Sequence, residues 1–185
     1  MEELQEEMAW SNLAGRAVEQ PRRVLTCFWA GQIAGLVFLA AWVIAYLGFR
    51  SGEPFDWPIR VVASFVLGEA ALGSATALVW VVGILVNQLL PALFWSMAFA
   101  WVAMSPRFTV RMSTCVSLGL FIGLASMWID VFFLIPPLMG VLHDQDLWWR
   151  HLPRAWDWIA HIAYGMSLGW FFAVLQPRIE KERVD

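Results

Sequence analysis

Three ionisable side chains lie inside stretches that are otherwise apolar: Glu69, Asp130 and His161. An ionisable group within a membrane span is costly to bury and is a functional candidate by default. Asp130 lies shortly before Pro136, and His161 lies one helical turn after Asp157. At the helical rise this spacing predicts a similar depth for both, with Glu69 beside them.

Such an Asp–His pair could bind a proton, a quinone carbonyl or a cation. It could equally be structural, with the two side chains pinning the third predicted span to the fourth. Asn87 is a further candidate, because it occupies the place in an earlier helix that corresponds to His161. His161 could also ligate a haem, but the sequence offers no second intramembrane histidine for bis-His ligation. We therefore predict no resident cofactor, with haem and quinone as alternatives.

Other chemistries are excluded by composition and motif. The net charge of −3 gives no electrostatic footprint for nucleic acid. His143, Asp144, Asp146 and His151 match no standard metal-binding spacing, so no metal site is predicted. The sequence contains no P-loop, GxSxG, HExxH or CxxC motif.

Long apolar runs dominate the chain, of which 60% is hydrophobic and only 15% charged. Apolar runs without charge that are long enough to cross a bilayer are typical of membrane-spanning helices. The predicted fold is an all-α integral membrane four-helix bundle over residues 24–177, between a polar tail (1–23) and a charged tail (178–185). The four spans are predicted at about 25–47, 76–104, 112–135 and 156–176, with Pro136-Pro137 ending the third.

The apolar stretch before the second span is too long for one crossing. Its only polar break, Asn87-Gln88, would make a poor hairpin in lipid. We therefore predict an interfacial or re-entrant helix at 58–73, begun by Pro58 and carrying Glu69. Two separate spans are the alternative.

Glycines recur at four-residue spacing in three of the predicted spans, which favours close approach of helix backbones in lipid. They are Gly31 and Gly35, Gly119 and Gly123, and Gly165 and Gly169. The first two spans resemble the last two in this respect, which predicts a parallel two-helix repeat. Small residues at this spacing also arise in any packed bundle.

The twelve Lys and Arg residues are unevenly divided between the two predicted sides of the membrane. Eight lie in the tails and in the turn after the second span, and four lie on the other side. This bias predicts that both termini are cytoplasmic. The predicted location is the inner membrane of a bacterium.

The last predicted span contains the pattern HxxYGxxLG, from His161 to Gly169. Phe55-Asp56-Trp57-Pro58, followed by Ala63-Ser64-Phe65, precedes the second span. Together these segments resemble a family of small four-helix bacterial membrane proteins, and the resemblance covers about residues 25–175. It implies the fold and carries no assigned activity.

The abundance of glycine faces, the 13 tryptophans and the absence of catalytic motifs favour a non-enzymatic accessory or scaffold subunit. Its predicted partners are membrane lipids and other membrane protein subunits, and the predicted setting is a respiratory or photosynthetic complex. The alternative is a small transporter, or a quinone- or haem-binding protein, built around Asp130 and His161.

Overall fold

The structure is a computed structural model that describes residues 2–48, 54–105, 107–143, 147–151 and 154–176. The side chains of residues 2–19 and of Trp149 lie outside this description. The predicted charged tail at 178–185 lies outside it as well.

Four helices are long and apolar enough to cross a membrane, and the described residues contain no strand. The predicted all-α membrane bundle is therefore confirmed. We name these spans helix 1 (Gln20–Gly48), helix 2 (Ala77–Ala103), helix 3 (Met112–His143) and helix 4 (Arg154–Leu175). Helix 4 packs along both helix 1 and helix 3, and helix 1 also packs against helix 2.

Helix 1 is the end of a longer helix that runs unbroken over Glu2–Gly48. Pro21 lies inside it and does not interrupt it. Residues 2–23 of the predicted polar tail are thus helical and continuous with the first span. Pro21 leaves the backbone intact although it cannot donate to the preceding turn.

Helix 3 passes through Pro136 and Pro137 and ends only at His143, so the predicted stop at these prolines is wrong. The five residues Asp130–Leu134, just before them, form a π-helical segment. A π turn widens the helix, and such turns often occur where a helix is interrupted at a functional site. The wider turn precedes the prolines and allows the helix to continue beyond them.

Helix 2 contains a second π-helical segment, Gln88–Ala92, around Pro91. Side chains of neighbouring helices donate hydrogen bonds to the backbone carbonyls of this segment, as a membrane interior requires. Gln32 Nε2 donates to the Gln88 carbonyl at 3.3 Å, and the Tyr164 hydroxyl donates to the Ala92 carbonyl at 3.0 Å. The helix continues through Asn87-Gln88, so the alternative of two separate spans is wrong.

The segment before helix 2 forms a short apolar helix, Trp57–Leu67, which we call the cover helix, and a further turn, Ala70–Gly73. The cover helix is too short to span. Its ends are held by the Trp57 indole, which donates to the His151 carbonyl at 3.1 Å, and by His143 Nε2, which donates to the Phe65 carbonyl at 3.0 Å. It is thereby fixed over one end of the bundle.

The glycines of the three spans lie against other helices of the same chain. A Cβ at Gly31 would meet Ser96 and Ala92, and a Cβ at Gly119 would meet the backbones of Gly165 and Gly169. The other four glycines make contacts of the same kind. Gly35 faces Gln88 and Ala92, Gly123 faces His161 and Gly165, and Gly165 and Gly169 face the backbone of helix 3 in turn. The helix 1–helix 2 and helix 3–helix 4 contacts therefore use equivalent spacings. In this correspondence Gln88, rather than the predicted Asn87, matches His161.

Candidate functional site

A cavity of about 660 Å³ lies beneath the cover helix, between helices 2 and 3. The two π-helical segments form its sides, and helices 1 and 4 form its back. Its lining is almost entirely apolar, and its volume is in the range of pockets for drug-sized ligands. Its wall includes Phe38, Asn87, Leu90, Trp95, Asp130, Leu138, Trp148 and His161.

The cavity opens sideways, onto the surface that faces the membrane lipid. Helix 2 meets helix 3 mainly between Leu93–Ala103 and Met112–Ile129, near the turn that joins them. Beside the π segments the two helices diverge. Leu90 on one rim and Leu138 on the other are 48% and 45% exposed, so each lies partly in the cavity wall and partly on the outer surface of the bundle.

Asp130 opens the second π segment and is buried at the cavity wall. Its Oδ2 accepts a hydrogen bond from Trp95 Nε1 on helix 2 at 2.8 Å. This bond joins helices 2 and 3 across the back of the gap. A hydrogen bond to a carboxylate in an apolar setting is among the stronger ones.

His161 lies on helix 4 at the rear wall, where only 5% of it is exposed. Its Nδ1 lies 2.7 Å from the Asp157 carbonyl, which can only accept, so Nδ1 carries the proton. The Phe38 ring meets the imidazole edge-on, with 4.9 Å between the two ring centroids. These two contacts fix the ring and leave Nε2 as its remaining polar atom.

Asn87 completes the polar part of the wall and is 2% exposed. Its Nδ2 donates to the Gly35 carbonyl on helix 1 at 3.0 Å. Its Oδ1 has no hydrogen bond to the described residues and is not fully buried in protein. The same holds for Asp130 Oδ1 and His161 Nε2. Three helices thus present one open polar atom each to the same cavity.

The structure brings three of the four predicted ligand or proton candidates together and leaves out the fourth. Asp130, His161 and Asn87 line one cavity, whereas Glu69 is exposed and lies outside it. Gly68, with φ of 64°, ends the cover helix in a left-handed conformation and turns the chain outward at Glu69. The structure therefore does not bring Glu69 together with the other three candidates.

No hydrogen bond joins Asp130 to His161 among the described contacts. Each side chain has a different partner, Trp95 for the one and the Asp157 carbonyl for the other. The alternative in which the two side chains bind each other and pin helix 3 to helix 4 is not seen among these contacts, where the Trp95 indole of helix 2 binds the carboxylate instead. The two groups instead face a shared space.

Sequence reasoning missed Trp95 and the two π segments. Pro91 and Pro136, placed inside apolar runs that continue past them, were the available signal. It also missed the buried polar pair of Asp157 and Trp148, whose Nε1 lies 3.4 Å from Asp157 Oδ2. That pair positions the Trp148 ring at the cavity wall.

No group of three or more His, Cys, Asp or Glu side chains within the described ranges is placed to hold a metal ion. Of the two histidines in this region, His143 donates through its ring to the Phe65 carbonyl, and the backbone carbonyl of His151 accepts from the Trp57 indole. Asp144 and Asp146 lie outside the described residues.

Comparison with protein-family models, with curated proteins and with solved structures gives no match to this chain. The resemblance carried by the His161–Gly169 pattern therefore stays a prediction. Any functional conclusion has to come from the cavity itself.

Proposed function

We propose that this protein binds a lipophilic small molecule that enters its cavity sideways from the membrane. The observation that carries the proposal is the pairing of an apolar, laterally open cavity with polar atoms at its inner end. An apolar tail would lie between helices 2 and 3. A polar head would reach Asp130, His161 and Asn87.

The polar residues themselves favour a ligand over a purely structural role. Three buried polar side chains that only pinned helices would satisfy each other. Here Asn87 and Asp130 each take part in one bond between helices, His161 is held by a carbonyl of its own helix, and each of the three keeps one atom open toward the cavity. A ligand head supplies the missing partners.

A role as an accessory or scaffold subunit of a respiratory or photosynthetic complex stays a prediction. Its main sequence argument was the glycine faces, and these glycines contact helices of the same chain. A quinone or a haem stays an alternative ligand, and an absorption spectrum of the purified protein tests the haem.

We propose that the protein lies in the inner membrane of a bacterium, with both termini in the cytoplasm. The charge bias supports this orientation. Arg23 Nη1 also donates to the Ala103 carbonyl at 3.1 Å, which brings the start of helix 1 beside the end of helix 2. Cysteine labelling from each side of sealed vesicles tests the assignment.

Filling the cavity mouth is expected to abolish ligand binding without unfolding the protein. The double variant Leu90→Trp, Leu138→Trp places two indoles across the lateral opening, one from each rim. Both positions are already about half exposed, so the larger side chains cost little packing. The measurement is saturable binding of radiolabelled lipophiles to the protein in lipid nanodiscs, with native mass spectrometry of what co-purifies.

The matched control is the double variant Leu85→Trp, Val141→Trp. These residues lie on the same two helices, are 49% and 83% exposed, and do not line the cavity. The control should bind like the original protein. Equal binding by all three proteins would show that the cavity is not the binding site.

A further inference from the structure

The open polar atoms of the cavity define what kind of ligand head it accepts. Asp130 Oδ1, when ionised, is an acceptor, and so is Asn87 Oδ1. His161 Nε2 is an acceptor in the neutral ring, since Nδ1 carries the proton. Among the described wall residues, the only spare donor beside these three acceptors is one amide hydrogen of Asn87. A ligand head group that pairs with them must therefore donate hydrogen bonds.

The charge of the cavity points the same way. Among the described lining residues Asp130 is the one acidic side chain, and none is Lys or Arg. A carboxylate in an apolar environment needs a positive partner or several donors. Trp95 supplies one donor and no charge.

Aromatic rings surround the same end of the cavity. Phe38 contacts the His161 ring, and Trp95 and Trp148 stand in the wall. Aromatic faces attract cations, and the attraction is strongest where water is excluded.

From these features we infer that the cavity binds lipophilic primary amines, with the ammonium group donating to Asp130, His161 and Asn87. The inference rests on the proposed function and specifies its ligand class. An ammonium group has three donors and no acceptor, which matches the three open acceptors. A quinone offers only carbonyl acceptors, and a fatty acid adds a second negative charge beside Asp130.

The test is a competition series on the unaltered full chain in nanodiscs, with tritiated hexadecylamine as the probe. Hexadecylamine should compete about tenfold or more better than hexadecanol, which has the same chain but no charge. Hexadecanoic acid and a short-chain benzoquinone should compete least. In the Asp130→Asn variant the affinity for hexadecylamine should fall to that for hexadecanol. The affinity for hexadecanol should change little.

Glu69→Gln is the matched control, because Glu69 is an acidic residue that is exposed and does not line the cavity. Its preference for the amine should be unchanged. Stronger competition by the acid or the quinone would overturn the amine assignment and leave the proposed function standing. A preference for the amine that persists in the Asp130→Asn variant would also overturn the amine assignment. If no lipophile binds saturably, both proposals fail.

Discussion

Gly165→Leu is expected to prevent helices 3 and 4 from associating and to leave little folded protein. A Cβ at Gly165 would overlap the Gly119 carbonyl oxygen and would come within 3.0 Å of both the Gly119 carbonyl carbon and Gly123 Cα. All of these are backbone atoms, which cannot rotate out of the way. Overpacking of an ordinary core costs about 1–3 kcal/mol, and the cost is greater where neither backbone can yield. Thermal unfolding in detergent, followed by size exclusion, gives the measurement.

Gly140→Leu is the control for this substitution, because it makes the same change within helix 3. A Cβ at Gly140 meets nothing within 4 Å, and leucine has the better helix propensity. This variant should fold and melt close to the original protein. A Gly165→Leu protein that melts within a few degrees of it would mean that helices 3 and 4 do not pack as the structure shows.

Asp56→Ala is expected to destabilise the protein by about 3–5 kcal/mol, the usual cost of stranding one member of a buried ion pair. Asp56 Oδ1 lies 2.9 Å from Arg60 Nη2, and the two side chains are 3% and 11% exposed. Asp56 Oδ2 also accepts from Trp80 Nε1 on helix 2 at 2.9 Å. Removing the carboxylate therefore leaves a buried guanidinium without its charge partner and releases the cover helix from helix 2.

The free energy of unfolding, from titration of mixed micelles with a denaturing detergent, measures this effect. The double variant Asp56→Ala, Arg60→Met removes both charges and should recover much of the loss, because no charge is then stranded. A double variant as unstable as the sum of the two single variants would show that the ion pair is not the source of the effect.

The resemblance between the two halves of the chain was visible in the sequence, but its register was not. Spacing alone aligned Asn87 with His161, whereas the contacts of Gly35 and Gly123 align Gln88 with it. Four-residue spacing determines which face of a helix carries the small residues. It does not fix which turn of the neighbouring helix that face meets, because several turns offer an equivalent surface.

The sequence by itself determined the four membrane-spanning helices and the presence of Asp130 and His161 within them. This is because a long charge-free run can satisfy its backbone in lipid only as a helix, whatever surrounds it. Only the tertiary structure decided that Pro136 does not end helix 3, that Trp95 rather than His161 holds Asp130, and that Glu69 turns outward. Each of these depends on contacts between helices that are distant in sequence, and no local pattern encodes them. The cavity also depends on how distant helices pack, because it lies where helices 2 and 3 diverge beside their π segments.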